Sequence, residues 1–130
     1  MPSVLICDPN QTTQGVLHCA LNIEGFKVFE AGNTESARYQ IIMNSPDFVL
    51  IDWLEFDITN MDIKRFSQQV KRIRPNTIFI FISHIGVRKD VSDFEEMIAQ
   101  HGADDYILKP FNPAKVLTKL ESWSQKANAS

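Results

Sequence analysis

Runs of consecutive apolar residues recur along the chain: Val4-Leu5-Ile6-Cys7, Phe48-Val49-Leu50-Ile51, Ile78-Phe79-Ile80-Phe81-Ile82 and Tyr106-Ile107-Leu108. Runs this short, without polar alternation, fit strands buried on both faces of a parallel sheet. The first stops at Asp8-Pro9, because proline cannot extend a hydrogen-bonded ladder, and the last stops at Lys109-Pro110. Lys27-Val28-Phe29-Glu30 is a weaker strand between the first two.

The intervening segments carry helical spacing. From Asn10 to Glu24 the positions Val16, Leu17, Ala20, Leu21 and Ile23 predict an inward face, with Gly25 as the stop. Asn33 caps a second helix expected to turn Ala37, Ile41 and Ile42 inward until Pro46. Residues 53–60 lack periodicity and read as a loop. Ile63, Phe66, Val70 and Ile73 then give an amphipathic helix ended by Pro75. Ser92 with Glu95 marks another start, with Phe94, Met97 and Ile98 on its apolar side, running to Gly102. Asn112-Pro113 opens a last helix that presents Val116, Leu117, Leu120 and Trp123 to one side.

Five βα units of this kind predict an α/β fold, a doubly wound (βα)5 sheet of flavodoxin type with parallel strand order 2-1-3-4-5. Residues 1–130 then form a single domain, long enough to bury one good core. With 44% hydrophobic and 22% charged residues, the composition is that of a globular protein. No apolar stretch approaches the roughly 20 residues that cross a bilayer, and Met1-Pro2-Ser3 opens without a basic leader. A cytoplasmic location is expected. The net charge of −3 is spread over mixed signs, so direct nucleic-acid binding is not expected; Lys64, Arg65, Lys71, Arg72 and Arg74 read as the solvated face of a helix. Cys7 and Cys19 lack metal-binding spacing and read as buried thiols.

Chemistry collects where polar residues end the strands. Ligands of such sheets bind outside the carboxyl ends, near the switch point between the first and third strands. Asp8, Asp52, Ser83 and Lys109 fall there. Paired carboxylates suit Mg²⁺, a hard cation that prefers oxygen and keeps several waters. An ammonium and a hydroxyl beside them suit developing negative charge on a phosphoryl group, with Asp52 as nucleophile.

Through Val4–Asp8, Pro46–Asp52, Phe81-Ile82-Ser83 and above all Gly102–Phe111, the sequence resembles a response-regulator receiver domain of two-component phosphorelay signalling. The resemblance covers essentially the whole chain. It implies that Asp52 accepts a phosphoryl group from a histidine kinase or phosphotransfer protein, and that Asp8, Asp52 and the main-chain carbonyl of Leu54 bind Mg²⁺. It makes Ser83 the switch hydroxyl, Lys109 the phosphoryl contact and Tyr106 the aromatic switch. It also implies a signalling face made of the helix expected over 92–102, the fifth strand and the last helix. Through that face the domain would reach a downstream protein or effector domain, or pair as a homodimer. A phosphorylated switch of this kind is not expected to turn over substrate as an enzyme.

Three features depart from the family pattern: Pro9, a longer segment between Asp52 and Met61 with Ile63 where glycine is common, and a longer stretch after Ser83. Pro9 stands where the second acid of the strand-one pair is expected, so metal affinity should fall by at least the 10 to 100-fold typical of lost outer ligands' partners; Glu55 or Asp57, in a loop a few residues longer than usual, could supply the missing oxygen. The segment from Ser83 to Gly102 is also longer by a few residues. Pro9 keeps a second reading open, a pseudo-receiver acting as a phosphorylation-independent interaction module. A third, an electron carrier with Asn10–Gly15 as a phosphate loop, leaves Lys109-Pro110 without a purpose. The chain reads equally as a stand-alone receiver or as a piece of a larger regulator.

Overall fold

The computed structural model describes residues 2–8, 11–52, 63–84, 102–109 and 112–129. Five strands, β1 (Ser3–Cys7), β2 (Lys27–Ala31), β3 (Phe48–Asp52), β4 (Ile78–His84) and β5 (Asp105–Lys109), pair in parallel in the order β2-β1-β3-β4-β5. Helices α1 (Gln11–Ile23), α2 (Thr34–Asn44), α3 (Ile63–Ile73) and α4 (Pro113–Ala129) connect or follow them. The predicted strand order and doubly wound architecture are those observed. The loop over 53–60 and the helix expected over 92–102 lie outside the described residues.

Successive side chains of a strand point to opposite faces, and the apolar runs divide accordingly. Leu5, Cys7, Val49, Ile51, Phe79 and Phe81 meet Ala37 and Ile41 of α2 and Phe66 and Val70 of α3. Val4, Ile6, Phe48, Leu50, Ile80, Ile82 and Ile107 meet Leu17 and Leu21 of α1 and Val116 and Leu120 of α4. One unbroken apolar run therefore feeds two cores, each fully buried side chain contributing roughly 1.5–3 kcal/mol by its removal from water.

Local signals set the helix ends. The Asn33 side chain accepts the Ser36 N–H at 2.8 Å and starts α2. Gly25, at φ +96°, ends α1 with Phe26 N–H donating to the Leu21 carbonyl and Gly25 N–H to that of Asn22. Ser45 ends α2 in the left-handed region, at φ 46°.

Several inward assignments are corrected. Ile42 is 44% exposed, because α2 turns Thr34, Ala37 and Ile41 to the sheet and Ile42 sits a further 100° round. On α1 the inward pair is Leu17 and Leu21; Ile23, 200° beyond Leu21, is 81% exposed, and Val16 is exposed too. Ile73 stays on the face of Phe66 but is the last residue of α3, and it is 39% exposed. Cys7 is buried as expected, its thiol pushed far up by desolvation and by the charge of Asp8, whereas Cys19 is exposed. Lys71 is not a free surface charge: it donates to the Thr77 carbonyl at 2.6 Å and pairs with Asp104, which also accepts the Phe79 N–H.

Candidate functional site

β1 and β3 are neighbours, and the chain leaves them in different directions, so their carboxyl ends bracket the switch point of the sheet. Cys7 pairs with Ile51, which puts Asp8 and Asp52 one step further along adjacent strands. Both are almost completely buried, Asp8 at 1% and Asp52 at 2% exposure. Two carboxylates are brought this far out of water at a real desolvation cost, and strand ends are free to place them there because the hydrogen-bonded ladder stops.

The same edge carries the other expected residues. Asp52 pairs with Ile82, so Ser83 follows one position later on β4, and β5 brings Leu108 opposite Ser83 and Lys109 opposite His84. Asp8, Asp52, Ser83 and Lys109 thus lie at, or within one residue of, the carboxyl ends of four neighbouring strands, β1, β3, β4 and β5. The side chains of Ser83 and Lys109, and all of Leu54, Glu55, Asp57 and Pro9, lie outside the described residues. Hard oxygen donors on adjacent strands fit Mg²⁺, which needs only one or two carboxylates and waters. Among the described residues there is no cluster of three or more side chains suited to a more protein-enclosed metal.

Tyr106 lies on β5 opposite Phe81, its half-buried ring packed on the core under α2 and α3. Around it is a network the sequence did not reveal. Asp105 accepts the Tyr106 N–H at 2.8 Å, the Trp123 indole N–H at 2.8 Å and Lys119 Nζ at 3.1 Å. Lys119 also donates to the Tyr106 carbonyl at 2.9 Å and stands 5.3 Å from its ring centre. Partial burial raises the Asp105 carboxyl, but the hydrogen bonds from Trp123, Tyr106 and Lys119, with the ammonium charge, outweigh it and hold it below the ordinary carboxylate value. Trp123, read from its spacing as core, does pack on the second core and in addition makes this polar contact.

Gln14 was also not foreseen. Its side-chain amide donates to the carbonyls of Ile6 at 3.2 Å and Ala31 at 3.3 Å, tying α1 to the ends of β1 and β2 beside Asp8. A glutamine in a helix carries no sequence signal of such a role. A groove of about 320 Å³, lined by Ser45, Asp47, Arg74, Asn76 and Thr77 among others, lies at the opposite edge, where β3 and β4 begin. It is remote from the paired carboxylates.

Residues 4–121 match the family model of the response regulator receiver domain. The chain is 28% identical over 121 residues to the phosphate regulon transcriptional regulatory protein PhoB of Pseudomonas aeruginosa, covering 92% of this chain and 50% of that protein. It is 24% identical over 125 residues to the circadian input-output histidine kinase CikA of Synechocystis, covering 95% of this chain and 16% of that protein. The chain therefore spans half or less of the length of these relatives. Among solved structures, a two-component response regulator from Clostridium difficile superposes with a TM-score of 0.84 at 19% identity, covering 98% of this chain and 99% of that one. A CheY-like receiver domain protein from Methanospirillum hungatei superposes at 0.82 with 20% identity, covering 99% and 98%. At these identities the superpositions speak for the fold. No helix among the described residues is long and apolar enough to cross a membrane.

Proposed function

The chain belongs to the response regulator receiver domain family, and on that premise we propose that it is a phosphoryl-accepting switch charged at Asp52. The observation that carries the reading is the burial of Asp8 and Asp52 together at the ends of adjacent strands. A carboxylate oxygen of Asp52 attacks the phosphorus of a phosphohistidine on a kinase or phosphotransfer protein. The new O–P bond forms as the N–P bond breaks, and the imidazole nitrogen keeps the electron pair and takes a proton from water. The product is an acyl phosphate at Asp52. Mg²⁺, held by Asp8 and Asp52 with the Leu54 carbonyl, would neutralise charge on the phosphoryl oxygens. In this reading Lys109 meets that charge from β5, Ser83 offers its hydroxyl from β4 and Tyr106 follows the hydroxyl; the neighbouring register of the two strands supports it.

The covalent change biases an equilibrium between two arrangements, read by a downstream protein or effector domain on the face that includes β5 and α4, or by a second copy pairing there. In this reading the protein is a cytoplasmic phosphoprotein that relays a signal and does not turn over small molecules. Incubation of the purified chain with acetyl phosphate and Mg²⁺, read by intact mass, tests it. The expected result is a gain of one phosphoryl group that Asp52→Asn lacks. A folded protein with no gain would refute phosphorylation and favour the interaction module that Pro9 suggests.

A further inference from the structure

β5 is the last strand of the sheet, and two residues of α4 only four apart, Lys119 and Trp123, which share a helix face, make polar contacts with it. An ammonium has three donors. Here Lys119 directs them at the Asp105 carboxylate, the Tyr106 carbonyl and the face of the Tyr106 ring. Asp105 in turn grips the Tyr106 N–H with Oδ1 and the Trp123 indole with Oδ2. The backbone of Tyr106 is thus held at both its N–H and its carbonyl, and its ring lies under the same cation. A simple edge cap would need one such contact. This arrangement instead connects one aromatic residue of β5 to a helix through a shared carboxylate.

We propose that Asp105, Lys119 and Trp123 are positioning residues, a latch that sets the place of Tyr106 and transmits its displacement to α4. The proposal rests on the receiver reading, in which charging Asp52 relocates the Tyr106 ring. As the ring leaves the ammonium, Lys119 loses one of its three contacts and shifts against Asp105, and the hydrogen-bonded indole of Trp123 shifts with it. The helix that ends the described chain thereby receives the signal through polar contacts at the sheet edge, independently of the apolar packing of Val116 and Leu120 beneath it.

The two tryptophans, Trp53 and Trp123, give two indole N–H signals in a ¹⁵N-labelled sample, assigned with Trp53→Phe. Acetyl phosphate and Mg²⁺ are added, and intact mass is read on the same sample. The expected result is a gain of one phosphoryl group together with movement of the Trp123 signal by more than its linewidth. In Lys119→Gln the mass gain persists while the Trp123 signal starts displaced and no longer responds; Lys119→Arg restores the response. A mass gain with a stationary Trp123 signal overturns the latch and leaves the receiver reading intact. An undiminished response in Lys119→Gln overturns the role of Lys119. Absence of any mass gain is a different failure: it withdraws the receiver reading, and the latch with it.

Discussion

Replacing Asp52 by asparagine should make the metal-free protein more stable. Adjacent strand backbones stand about 4.8 Å apart, and Asp8 and Asp52 each follow the Cys7–Ile51 pair by one residue, so their carboxylates are expected as two like charges at roughly that distance. At an effective dielectric near 20, charges about 5 Å apart repel by about 3 kcal/mol. Asparagine preserves the shape and one carbonyl acceptor while removing the charge. Hydrogen bonds to the carboxylates and water at the open edge offset part of the repulsion, leaving an expected gain of about 1–2 kcal/mol. Urea denaturation in EDTA should show it as a midpoint raised by about 1 M, for a slope near 1.5 kcal/mol per M. Mg²⁺ at ten times its dissociation constant should stabilise the wild type by about 1.4 kcal/mol, and Asp52→Asn by clearly less. An Asp52→Asn protein that is less stable in EDTA, or equal stabilisation of both by Mg²⁺, would refute the paired-carboxylate reasoning.

Pro9→Asp, which returns an acid beside Asp8, should tighten Mg²⁺ binding by about 10 to 100-fold, measured by titration calorimetry. Phe79→Ala, which removes a fully buried ring stacked edge-on against Phe66 and Phe81, should cost about 3–5 kcal/mol in urea denaturation. Because the folded Asp105 carboxyl lies below its ordinary value, its contribution to stability is complete above about pH 4, the unfolded value. That contribution is lost as pH falls through the lower folded value; Asp105→Asn should flatten this part of the stability–pH curve, measured by thermal melts between pH 2 and 6. Trp123→Phe, losing the indole hydrogen bond to Asp105, should cost about 1 kcal/mol, seen as a lowered melting temperature at neutral pH.

The sheet was legible because its strands are buried on both faces, so Phe48 to Ile51 and Ile78 to Ile82 had to be apolar throughout; the switch point then placed Asp8 and Asp52 without further information. Punctuation was legible where chemistry is local, as at Asn33 and Gly25. Helix faces were less so, since α2 carries apolar residues all round and spacing alone could not separate buried Ile41 from exposed Ile42. Long-range polar contacts left no trace. Lys119 and Asp105 are fourteen positions apart, and nothing in either neighbourhood marks them as partners of Tyr106.

An acyl phosphate at Asp52 can be trapped by reduction. After exposure to acetyl phosphate and Mg²⁺, borohydride converts a carboxyl carrying a phosphoryl group to a primary alcohol with release of phosphate, and tandem mass spectrometry locates the resulting homoserine. Homoserine is expected at position 52, and none when Mg²⁺ is chelated. Homoserine at another aspartate, or none in a folded protein with Mg²⁺ present, would contradict an acyl phosphate at Asp52.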